Sequence, residues 1–131
     1  MHHHHAIHLG AAWEPPPSAG DAATAGGRTE WKRRFGRPTG LWPGDRVLLV
    51  VTHAGVAADL VLNTVPLSPL SADANRWEVD ITALIGDRNE LLVAAAVALP
   101  PDAGCDAHGR SPLPSAYGRV ALEIVSAARP A

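Results

Sequence analysis

Cysteine, lysine, methionine, phenylalanine and tyrosine each occur once in these 131 residues. The lone Cys105 excludes an intramolecular disulfide framework and gives no argument for secretion. No apolar run approaches the ~20 residues a membrane helix needs. The N-terminus, MHHHHAIHLG, has no hydrophobic region of the signal-peptide kind, so the expected location is the cytoplasm by default, with no membrane partner. A formal net charge of −2 gives no broad basic footprint, so nucleic acid is not an expected partner either. Gly-x-Ser-x-Gly, phosphate-loop and dinucleotide fingerprints are all absent, and no cofactor is expected. Ten Arg against one Lys in an Ala-, Pro- and Gly-rich chain point to a GC-rich bacterial coding sequence, with no bearing on fold.

What is present describes one globular domain. At 47% hydrophobic and 18% charged, a chain this long buries roughly two thirds of its unfolded surface and needs neither metal nor disulfide to fold. Residues 1–5 form a His-rich tract, and 6–131 read as the domain. His2 to His5 offer imidazoles to a divalent metal whether the tract is an affinity tag or native, and no metal site is assigned to them.

Strand signals dominate. In RWEVDI, Trp77, Val79 and Ile81 alternate with Glu78 and Asp80, the period of a strand with one wet face. RVALEIV repeats the pattern with Val120, Leu122 and Ile124. RVLLVVTH, residues 46–53, and LLVAAAVAL, Leu91 to Leu99, are apolar on both faces and should lie centrally. The alanines of the latter favour helix by propensity, but β-branched neighbours and Pro100–Pro101 favour strand. AIHLGAAWE, TEWKRRF, DLVLN and VPLS supply further strands. Two breaker-rich segments, 15–28 and 100–115, interrupt the series and are where function would be sought. Seven or eight short strands joined in this way argue for an antiparallel β-sandwich.

DITALIGDRNELLV, residues 80–93, reads as a corner. Thr82 is expected to cap one helical turn over Ala83, Leu84 and Ile85, whose apolar side chains plug the sandwich, and Gly86 to end it. This corner and the stretches before it resemble the N-terminal sugar-binding domain of family 2 glycoside hydrolases, a galactose-binding-like jelly roll. The resemblance runs through LGAAWE, then WKRRFGRP with Trp31, Arg33, Arg34, Phe35 and Pro38. It continues through RVLLVVTHAG and DLVLNTVPL with Gly55 and Asn63, and ends on Asp80, Ile81, Thr82, Leu84, Asn89, Leu91 and Val93. It spans about residues 7 to 126 and implies an all-β, antiparallel jelly-roll sandwich. Thr64 departs from it, standing where a glycine would serve a type I′ turn, so a longer or different turn is expected. The immunoglobulin-like domain and catalytic barrel of those hydrolases are not in the sequence, so the resemblance implies a module that does not hydrolyse glycosides. It does not carry sugar binding over.

Candidate site residues follow from chemistry. A flat ring stacks on the apolar face of a pyranose while polar neighbours hold hydroxyls. Of four tryptophans, Trp13 and Trp77 read as core, whereas Trp42, in TGLWPGD, sits in a turn-rich segment and reads as exposed. Trp31 shares its strand face with Arg33 and Phe35. Trp42, Trp31 and Arg33 are the candidate ligand contacts. Lys32 and Arg34 share the other face and should pair with acids across the sheet. Cys105, Asp106 and His108 resemble a thiol with a base, but a Gly- and Pro-rich loop lacks the rigidity that catalysis needs. His8 and His53 each read as lone strand histidines. No catalytic residue is assigned. The expected function is a non-catalytic module that binds carbohydrate or assists a glycoside hydrolase. The alternative is a structural or protein-interaction domain, self-associating through the second apolar face of Leu92, Ala94, Ala96 and Ala98.

Overall fold

A computed structural model describes residues 4–14, 29–95 and 110–126. Among them the strands are β1 (His4–His8), β2 (Thr29–Gly36), β3 (Arg46–Thr52), β4 (Ala58–Leu62), β5 (Val65–Pro66), β6 (Arg76–Asp80), β7 (Arg88–Ala95) and β8 (Arg119–Val125). Among the described residues the one assigned helix is a short 3₁₀ element at Ser115–Tyr117. No helix among the described residues is long and apolar enough to cross a membrane.

Two four-stranded antiparallel sheets, ordered β1-β8-β3-β6 and β2-β7-β4-β5, face each other. The pairs β4·β5, β3·β6, β2·β7 and β1·β8 are nested about the β4–β5 turn. This is a long hairpin rolled up on itself, the jelly-roll path. The strands apolar on both faces, β3 and β7, lie centrally because each has neighbours on both edges. For LLVAAAVAL, strand geometry holds to Ala95, and Ala96 to Leu99 lie outside the described residues.

The core is set by alternation. Val47, Leu49 and Val51 of β3, Leu60 and Leu62 of β4, Leu91 and Val93 of β7, and Val120, Leu122 and Ile124 of β8 turn inward and are almost fully buried. Burying one such side chain contributes about 1.5–3 kcal/mol. Val50 points the other way yet is only 2% exposed. On the outer face of its sheet it sits between Glu78 and Ala121. Close by, Arg76 of β6 donates to Glu123 of β8 at 2.8 and 3.0 Å and to Glu78 at 3.0 Å. We read the Arg76 stem as a cover over this stripe.

Three local expectations change. AIHLGAAWE is not one strand: after His8, the chain bends through Ala12 at φ 63°. It then bridges Ser111 from Trp13 and Lys32 from Glu14, so the segment crosses from one sheet to the other. His53 stands just past β3 in a left-handed conformation (φ 57°), its N–H donating to Asn75 O at 3.1 Å, and is not a strand residue. The β4–β5 turn is two residues long after all, since Leu62 pairs with Val65. Asn63 and Thr64 both take positive φ, 48° and 70°. The type I′ geometry therefore forms with a β-branched residue where glycine is preferred.

Candidate functional site

The corner at 80–89 is built from side-chain oxygens. The Asp80 carboxylate accepts from Thr82 N at 2.9 Å and from the Thr82 hydroxyl at 2.6 Å. These bonds, with Arg46 nearby, hold the Asp80 carboxyl below its usual range. The capping role expected of Thr82 thus falls to Asp80, while the Thr82 hydroxyl accepts from Val47 N at 2.9 Å and ties the corner to β3. Leu84 and Ile85 both donate to Ile81 O, giving the single helical turn. Leu84 and Ile85 pack on the core, whereas Ala83 is exposed. Gly86 does not end the turn by a left-handed conformation, since its φ is not positive. Its N–H donates instead to Asn89 Oδ1 at 2.8 Å.

Asn89, 4% exposed, joins three elements. Its amide nitrogen donates to Gly86 O at 3.0 Å and Phe35 O at 3.3 Å, and its oxygen also accepts from Asn63 Nδ2 at 2.9 Å. Asn63 in turn donates to Leu84 O at 3.0 Å and accepts from Glu90 N at 2.9 Å. Both asparagines are thereby consumed in holding β2, the β4–β5 turn and the corner together. They are architectural despite their polar chemistry.

Beside this network a groove of about 590 Å³ opens over the ends of β2 and β7, lined by Arg34, Phe35, Gly36, Arg88 and Glu90 with the two asparagines. Glu90 lies 3.8 Å from Arg34 and 3.9 Å from Lys32, and Glu14 lies 3.6 Å from Arg34. The cross-strand pairing expected of Lys32 and Arg34 is thus present. Leu92 and Ala94 continue this outer face, flanked by Lys32 and Glu30 on β2 and by Val61 and Asp59 on β4. Ala94 is only 8% exposed, so the described part of the expected apolar face is a narrow, charge-flanked stripe.

Trp42 is 54% exposed. The turn carrying it is closed by Asp45, whose carboxylate accepts from Trp42 N at 2.9 Å and whose N–H donates to Trp42 O at 3.0 Å. Gly44 takes φ 89° there, a conformation glycine adopts without strain. Sequence reasoning missed Asp45, although Pro-Gly-Asp after an aromatic is a turn signature that points to it.

Trp31 is fully enclosed, at 0% exposure, and its indole nitrogen has no hydrogen-bond partner among the described residues. Sharing a face with Phe35 puts it in the core, where it offers no ring to a ligand. Trp13 is likewise buried, its indole donating to Leu9 O. Trp77, on the edge strand β6, packs against the core as expected, though the edge position leaves it only partly buried. Arg33 is half-buried, donating to Ala11 O at 2.7 Å and to Arg34 O. Desolvation, with the charge of Arg110 nearby, lowers its pKa. Trp42 and Arg33 are thus not brought into one described site.

Cys105, Asp106 and His108 lie outside the described residues, as do 15–28 and most of 100–115. The bounding residues Thr29 and Ala95 pair with each other, so the two long segments attach at one end of the sandwich. By register, Trp42 and the groove lie at the other. Among the described residues no three His, Cys, Asp or Glu side chains come together as a metal site.

No protein-family model matches the chain, and no curated protein matches it. Solved structures do. The FMN-binding β-glucuronidase of Faecalibacterium prausnitzii L2-6 matches at TM-score 0.62 and 18% identity, over 92% of this chain and 22% of that one. A Bacteroides uniformis β-glucuronidase matches at 0.64 and 16%, over 95% of this chain and 18% of its own. The Bifidobacterium dentium β-glucuronidase complexed with coumarin-3-O-glucuronide matches at 0.59 and 18%, over 95% and 30%. The chain therefore spans less than a third of each of these enzymes, and it has the β-sandwich fold of one portion of them, as the sequence resemblance implied.

Proposed function

We propose that this chain works as a non-catalytic sandwich module of the glycoside-hydrolase type, presenting a surface to carbohydrate. The observation that carries the reading is the match itself: nearly all of this chain corresponds to less than a third of each enzyme. The carbohydrate half draws on Trp42, an exposed indole on a turn held by a buried carboxylate. A rigid aromatic platform of this kind stacks on a sugar face at low entropic cost.

The test is a glycan array probed with the full chain in the presence of a chelator, which silences metal capture by the histidine tract, at near-physiological salt. A selective hit that disappears in Trp42→Ala supports the reading. A blank array removes its carbohydrate half and leaves a scaffold that serves a protein partner.

A further inference from the structure

The groove beside the Asn63–Asn89 network has features of a built site. Gly36 forms part of its lining, and it pairs directly with Arg88 across the sheet. A Cβ placed on Gly36 would meet nothing closer than Asp87 O at 3.7 Å. The missing side chain is therefore open space rather than a demand of backbone packing. One rim is the Asn63–Thr64 turn, held left-handed by the two asparagine amides. A rim pinned in this way presents one shape and loses little freedom on binding.

The charges are unequal. Two guanidinium groups, Arg34 and Arg88, face one carboxylate, Glu90. Arg34 is engaged with Glu90 and Glu14. Arg88 is exposed and has no ion-pair or hydrogen-bond partner for its side chain among the described residues. By strand alternation it projects on the same face as Glu90. An unopposed planar fork matches a carboxylate in bidentate geometry. Glu90 beside it accepts from hydroxyls, and Gly36 leaves room for a ring against the edge of Phe35.

We propose that this groove is a subsite for a carboxylate-bearing saccharide, with Arg88 holding the carboxylate, Glu90 accepting from ring hydroxyls, and Gly36 providing the space in which the ring lies. The proposal rests on the carbohydrate reading above but places binding away from Trp42.

The experiment titrates the full chain with sodium glucuronate, and in parallel with glucose, following backbone amide shifts by NMR. Glucuronate is expected to move the resonances of residues 34–36, 63–64 and 88–90 saturably, and glucose to bind there at least about tenfold more weakly. Arg88→Gln should weaken glucuronate about tenfold. Gly36→Leu should abolish the shifts while leaving the remaining spectrum folded. If both sugars shift only residues around Trp42, the subsite is wrong and the carbohydrate reading stands. Equal binding of glucose and glucuronate in the groove, unaffected by Arg88→Gln, overturns the carboxylate assignment. If neither sugar shifts any residue, the subsite fails, and the glycan array then decides the wider reading.

Discussion

The two ends of the sandwich are held by different chemistry. At the end that carries the 37–45 and 81–87 connections and the β4–β5 turn, side-chain amides and carboxylates do the fastening. Asn89, Asn63, Asp80 and Asp45 each close a backbone turn. At the opposite end, where the two long segments attach, bulky aromatics and close backbone approach replace them. Trp13 and Tyr117 are buried there, and Gly118 passes so near β3 that an added Cβ would lie 2.3 Å from Thr52 O. The amide-held end tolerates polar groups and leaves a charged groove on its surface. At the aromatic end Tyr117 Oη is buried with no hydrogen-bond partner among the described residues. One end is therefore sensitive to lost hydrogen bonds, the other to added volume.

Substitutions sharpen that contrast. Gly118→Ala should be the most damaging, because φ 88° and the Thr52 clash act together. A loss of about 3 kcal/mol or more in urea unfolding is expected. Asn89→Ala should cost about 2–3 kcal/mol by leaving the part-buried Gly86 N–H and its neighbours unpaired. A loss below about 1 kcal/mol would mean that the corner is held by packing alone. Thr64→Gly should change sign, stabilising by about 0.5–1 kcal/mol, since glycine accepts the left-handed geometry that Thr64 resists.

The two ends should also separate by pH. Burial raises the Tyr117 phenol from 10.0 to about 12. The neutral form is favoured on folding, so its contribution is fully present below pH 10 and is lost as pH rises towards 12. Tyr117→Phe should cost less than about 1 kcal/mol at neutral pH, because the hydroxyl has no partner among the described residues, and should flatten the alkaline loss in chemical denaturation. Asp80 acts in the opposite direction. Its lowered carboxyl contributes above the ordinary carboxylate range and is lost as pH falls through the folded value. With its side chain 44% exposed, Asp80→Asn should remove only a few tenths of a kcal/mol from the acid-side slope.

Much of the sandwich was legible because period-2 alternation is a local signal: RWEVD and RVALEIV state their inner faces outright. The centrality of β3 and β7 was legible for the same reason, through residues apolar on both faces. The break at Leu9–Ala12 was not, since nothing in AIHLGAAWE marks where a strand leaves one sheet for the other. Trp31 misled because alternation places it inward beside Arg33, and only the structure shows that the ring is enclosed while the guanidinium reaches back to Ala11 O. The groove was invisible for a further reason. Gly36, Arg88 and Asn63 meet through strand register and a turn type that the Thr64 substitution disguised.

The nesting of the hairpin also bears on the order of assembly. His4 pairs with Val125 and His8 with Ala121, so the first strand waits for the last. Almost every ladder except β4·β5 joins segments distant in sequence, the arrangement that slows two-state folding most. On a ribosome, β1 would spend most of synthesis as an unpaired edge. A ladder begun at the β4–β5 turn and zipped outward is the route with the smallest loop-closure cost at each step.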